Sequence, residues 1–137
     1  MRWLLDTNVL SELRKAGRCN PGVARWAAAL EPEAMFTSVL VLGEIRRGVE
    51  RLRRKDVRQA RVLAGWLERV RQTFAGRILE VSEDVAEEWG RLDVPDVRPV
   101  VDGLLAATAR VHGLTLVTRN VTDVAGTGVA VLNPFKP

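Results

Sequence analysis

Two kinds of apolar pattern alternate along the chain: short near-continuous runs, and longer stretches in which apolar residues recur every three or four positions. Runs of the first kind predict buried strands and stretches of the second predict amphipathic helices. The runs are RWLL (2–5), AMFT (34–37), RILEV (77–81), LTLVT (114–118) and VAVLN (129–133). Between them lie a short helix over 8–15 and a second entered through Asn20 and Pro21 and stopped at Pro32. A third helix is capped by Thr37 or Ser38 and has Val41, Ile45, Gly48, Val49 and Leu52 on its inward stripe. A long amphipathic stretch follows over 57–74. Two more helices are predicted, one opened by Ser82 and one over 101–113 ended by Gly113, with the proline-containing segment 93–100 as a loop between them. Strands and helices alternating in this order predict an α/β fold with a central, mainly parallel β-sheet flanked by helices on both faces.

A length of 137 residues suits a single domain spanning 1–137, and no linker, repeat or low-complexity tract interrupts it. No apolar run approaches the ~20 residues that span a bilayer, and Asp6 interrupts any signal-peptide core almost at once. The one cysteine, Cys19, can form no internal disulfide, which fits a cytoplasmic setting. Net charge is +4, and arginine outnumbers lysine by eighteen to three. Arginine suits bidentate contact with phosphate or carboxylate, so a polyanionic partner is permitted, although a GC-rich genome gives the same bias.

Four acids stand where a purely structural chain prefers something else. Asp6 closes the first apolar run, at the strand end where open α/β sheets place their ligands. Glu44 is surrounded in sequence by Leu40, Val41, Leu42 and Ile45; Asp102 opens the most apolar helix; Asp123 follows the strand over 114–118. Each has a plain structural alternative. Asp6 can be an N-cap, Asp102 an N-cap or first-turn acid, Asp123 a turn residue, and Glu44 a partner of Arg46 or Arg47. If the four converge, their mutual repulsion requires a cation, and a set of hard oxygen donors points to Mg²⁺ or Mn²⁺. His112 and Cys19, the single residues of their kinds, lie far apart in sequence, which argues against zinc. The chemistry natural to such a site is phosphodiester hydrolysis.

The segments LLDTNVLSEL, SVLVLGEIRRGVERL, PVVDGLLAATARVHGLTLVTRNVTDV and GVAVLNPF together resemble the PIN-domain ribonucleases, in particular the VapC-type toxins of bacterial toxin–antitoxin pairs and their FitB-like branch. The resemblance runs nearly the whole chain. It implies a PIN-like fold and a Mg²⁺- or Mn²⁺-dependent endoribonuclease acting on RNA. It also implies a cognate VapB-type antitoxin and a homodimer or larger toxin–antitoxin assembly. It carries Asp6, Glu44 and Asp102 over as metal-holding acids. Many relatives have an acid where Asn120 stands; Asp123 matches the acid of the TRNxxDF variant, so Asp123 is taken as the fourth acid and Asn120 as a polar support, with Val124 replacing that variant's Phe. Thr7, Asn8 and Ser38 fit supporting roles, and Arg119 fits a contact to the substrate phosphate.

Arg47, Arg51, Arg54, Arg58 and Arg61 would share one face if their helix were continuous, gripping RNA phosphates or an acidic antitoxin segment, unless a turn near Lys55 and Asp56 breaks the stripe. Two rival classes remain. A phosphotransfer module would need a well-placed lysine, and Lys15, Lys55 and Lys136 are poor candidates; a non-catalytic RNA-binding module has no use for buried acids.

Overall fold

Leu4 and Leu5 have no accessible surface, and their strand is the middle of the molecule. In the computed structural model, which describes residues 1–136, this strand is β1 (Trp3–Leu5). It is followed by α1 (Thr7–Leu13) and α2 (Pro21–Ala28), then β2 (Met35–Ser38), α3 (Val39–Arg53) and α4 (Val57–Thr73). The chain continues through β3 (Ile78–Leu79), α5 (Glu83–Leu92), α6 (Val100–His112), β4 (Thr115–Val117) and β5 (Val131–Leu132). The strands form one sheet in the order β3-β2-β1-β4-β5, and every pairing is parallel. Parallel neighbours bring all strand C-termini to one edge, and the helical crossovers cover the sheet. Among the described residues no helix is long and apolar enough to cross a membrane.

The strands are shorter than the apolar runs, most of all at the sheet edges, where β3 and β5 have two residues each and a partner on one side only. The second helix also ends before Pro32. The N–H groups of Ala29 and Leu30 turn back to carbonyls three residues earlier, tightening the last turn, and a 3-10 turn over Pro32–Ala34 leads into β2.

Of the two N-cap candidates for α3, Ser38 is the cap, its hydroxyl accepting from the Leu40 N–H at 3.0 Å; the Thr37 hydroxyl donates to the Leu5 carbonyl at 3.1 Å. The inward stripe is as read, with Val41, Ile45 and Val49 buried and Gly48 facing the Leu63 side chain. Burying such side chains contributes ~1.5–3 kcal/mol each. Arginines 47 to 61 do not share one helix. The chain turns at Arg54–Asp56, where the N–H groups of Lys55 and Asp56 both reach the Leu52 carbonyl, and Asp56 then caps α4 through the Gln59 N–H at 3.1 Å. The result is a helical hairpin, with Arg47 and Arg51 on one arm and Arg58 and Arg61 on the other.

Candidate metal and active site

Asp6 lies at the C-terminal end of β1, 5% exposed, and its own N–H extends the ladder by donating to the Val117 carbonyl at 3.0 Å. Its carboxylate accepts from the Thr7 N–H (2.7 Å to Oδ1), the Thr118 hydroxyl (2.7 Å to Oδ2) and the Asn8 amide (3.4 Å to Oδ2). The N-cap alternative holds for this residue: the carboxylate at the strand end also starts α1. Burial pushes its pKa up; the hydrogen bonds from Thr118 and Thr7 pull it back, and the charge of Glu44 adds to the rise.

Glu44 comes from the second turn of α3. The Thr7 hydroxyl donates to its Oε1 at 2.6 Å, so Thr7 ties two acids together, with its N–H on Asp6 and its O–H on Glu44. Arg47 stands 3.9 Å from the other Glu44 oxygen, a half-exposed contact of small energetic weight. Asp102 lies in the first turn of α6, whose N-cap is Pro99, so it is a first-turn acid and not the cap. Asp123 lies in a 3-10 turn, Val121–Val124, just after β4. The Asp102 carboxyl is pushed up to about 6, first by burial and then by the charges of Asp6, Asp123 and Glu44. Four acids separated by up to 117 positions in sequence thus act on one another at one edge of the sheet.

The supporting residues separate into distinct roles. Asn8 spans the site, its amide donating to Asp6 and to the Thr118 hydroxyl (3.3 Å) while its carbonyl accepts from the Arg119 N–H (3.2 Å). Ser38 is buried and acts through α3 as its cap. Asn120 meets this network through its backbone, its N–H donating to the Thr118 hydroxyl at 3.0 Å. The Arg119 guanidinium lies over the Phe135 ring, 3.9 Å from its centroid, and 3.9 Å from Glu12.

Two residues of this region escaped the sequence reading. Thr118 is 1% exposed and joins Asp6, Asn8 and Asn120. Glu12 is buried at the far end of α1, where it accepts from the Asn20 N–H (2.8 Å) and Lys15 (3.0 Å). These hydrogen bonds, the backbone one first, hold its pKa down. The Lys15 contact also removes that lysine from any phosphotransfer role.

The donor chemistry suits a hard divalent ion: oxygen ligands only, and an excess of negative charge that already raises Asp102. Among the described residues no three acidic, histidine or cysteine side chains stand close enough together to hold a metal ion between them. An open arrangement is compatible with Mg²⁺, which takes one or two carboxylates directly and keeps waters.

A family model described as PIN domain matches residues 3–122. Toxin FitB of Neisseria gonorrhoeae is 34% identical, the alignment covering 96% of this chain and 97% of the relative. VapC ribonuclease Y4jK of Sinorhizobium fredii is 32% identical, with 98% of each covered. Among solved structures, the FitAcB crystal structure from Neisseria gonorrhoeae superimposes with a TM-score of 0.88 at 34% identity, over 98% of this chain and 99% of that one. A toxin–antitoxin complex from Klebsiella pneumoniae gives 0.65 at 29%, over 96% of each.

Proposed function

The chain belongs to the PIN-domain family, and from that premise we propose that it is a VapC-type endoribonuclease toxin, a single domain over 1–137 that hydrolyses RNA phosphodiester bonds with Mg²⁺ or Mn²⁺. The observation that carries this reading is the gathering of acids from separate elements at one edge of the sheet, where Thr7 ties Asp6 to Glu44 by its N–H and its O–H and Asp102 lies within reach of the charges of Asp6, Asp123 and Glu44. A merely structural site has no reason to gather unneutralised carboxylates. The names of the relatives, a toxin and a VapC ribonuclease, support the activity.

Asp6, Glu44, Asp102 and Asp123 would hold the ion, which supplies charge to polarise a phosphoryl oxygen and to acidify an attacking water. The protein's own part is positioning. Thr118, Thr7 and Asn8 fix both oxygens of Asp6 before any ligand arrives, and Thr7 sets Glu44 relative to Asp6. Asp102, near 6, can hold a proton or release it close to neutral pH. A cognate VapB-type antitoxin restrains the enzyme in a homodimer or larger assembly in the cytoplasm, by analogy with the toxin–antitoxin complex of the Klebsiella relative.

The test uses the chain purified free of partner and incubated with total RNA and Mg²⁺ or Mn²⁺. Cleavage is expected for the native chain and is lost with EDTA, Asp6→Asn or Asp102→Asn. Cleavage unchanged under all three conditions overturns the assignment. Growth arrest on expression, relieved by the product of a neighbouring gene, separates a toxin from a housekeeping nuclease.

A further inference from the structure

Beside the acidic cluster, at the same edge of the sheet, a cavity of about 540 Å³ opens between the chain leaving β4 and the chain leaving β5. That volume is within the ~300–1,000 Å³ of small-ligand sites. Its polar lining is Asn20, Arg119, Thr122, Asn133 and Lys136, and Phe135 provides the aromatic wall. The lining contains no acid, and the one behind it, Glu12, 3.9 Å from Arg119, is also met by Lys15 and the Asn20 N–H. Both asparagines have their carbonyl oxygens committed to backbone: Asn20 Oδ1 accepts from Gly22 and Val23, and Asn133 Oδ1 accepts from Phe135. Their NH₂ groups have no hydrogen-bond partner among the described residues. Together with Arg119 and Lys136, the cavity therefore presents an excess of donors, while Phe135 holds the guanidinium in place. Such a wall is complementary to a ligand rich in acceptors and negative charge, as phosphates and base carbonyls are.

The cavity is also wired to the acids. The Arg119 N–H donates to Asn8, whose amide donates to Asp6. Arg119 is thus one residue removed from Asp6, through Asn8, on the same edge of the sheet. We propose that the cavity is a nucleotide subsite for single-stranded RNA: Arg119 and Lys136 take the phosphate that flanks the cleaved one, and the Asn20 and Asn133 amides read acceptors on its base. The inference rests on the ribonuclease reading and adds to it a source of sequence preference.

Asn133→Asp is the informative variant, because it keeps the oxygen that accepts from Phe135 while replacing a donor by a negative charge. Arg91→Gln on α5 makes the same change in net charge and serves as the control. Binding of fluorescent single-stranded oligoribonucleotides of each base is read by anisotropy in EDTA, and cleavage positions are mapped with metal present. The expected result is a loss of affinity of about tenfold or more for Asn133→Asp and for Lys136→Glu, with the preference at one flanking base relaxed and the control unchanged. Affinity and cleavage pattern unchanged in both variants, with the native chain active, overturn the subsite and leave the ribonuclease reading standing. Native chain that neither binds nor cuts RNA overturns both. If RNA binding is unaffected while an acidic peptide binds the native chain and not Asn133→Asp, the cavity belongs to a protein partner and the subsite is overturned. Thermal melts of each variant confirm that the fold is retained.

Discussion

The two ends of α1 carry two carboxylates with nearly the same exposure, Asp6 at 5% and Glu12 at 6%, and their acidities move in opposite directions. Glu12 is given a backbone N–H and two cationic neighbours, Lys15 and Arg119, so its charge is satisfied inside the protein. Asp6 receives only neutral donors and faces another acid, so burial prevails and its charge is left partly uncompensated. Burial alone therefore does not decide which way a carboxylate's acidity moves; the sign of the neighbouring charge does.

The largest expected effect separates the two ends by activity. Asp6→Asn lowers metal-dependent cleavage by about 100-fold or more and leaves the melting temperature of the metal-free chain unchanged or higher, because asparagine still caps α1. A marked fall in that temperature would make Asp6 an ordinary structural cap. Glu12→Gln shows the opposite pattern, with a melting temperature lower by several degrees at pH 7 and a catalytic constant close to native, measured by calorimetry and single-turnover cleavage.

Thr118→Val tests the neutral donors around Asp6. It leaves the Asn120 N–H without a partner and Asp6 Oδ2 with only the longer Asn8 contact, costing about 1–3 kcal/mol by denaturant melts. Because the lost hydrogen bond lowers the Asp6 pKa, the acid limb of the cleavage profile moves to higher pH.

The smallest effects are in the pH dependence of metal-free stability, and there the two kinds of acid again oppose each other. Glu12 titrates below its ordinary 4.5, so its contribution is present above 4.5 and lost as the pH falls further. Asp102 titrates above its ordinary 3.8, at about 6, so its contribution is full below 3.8 and is lost as the pH rises through 6. Asp102→Asn should therefore flatten the decline between about pH 4.5 and 6. It should also raise metal-free stability at pH 7 by about 1 kcal/mol, after allowance for solvent screening of this partly exposed group. Added Mg²⁺ should stabilise the native chain more than this variant. Equal stabilisation of both would remove Asp102 from the ion's ligands.

The sequence alone shows Asp6, Glu44, Asp102 and Asp123 as misfits, because each interrupts or borders an apolar pattern that a local window contains. It also shows the elements, through near-continuous apolar runs, the 3.6 period and caps such as Ser82 and Gly113. Thr118 is invisible on those terms: a threonine ending a strand is ordinary until β4 is known to lie beside β1, 112 residues away in sequence. Glu12 resembles a surface acid on a short helix until the start of α2 folds back and seals it. The arginine spacing suggested a single face, and three residues of turn divided it between two helices.

What the sequence determines by itself is local, the type and approximate extent of each element and the residues that disturb it, because these follow from backbone sterics, capping and periodicity within a few turns. Strand order, register and the meeting of β4 and β5 with the start of α1 are decided only by packing of the whole chain. Whether a buried carboxylate is neutralised or left facing other acids depends on that packing, because electrostatic partners are set by distance in space and not by separation along the chain.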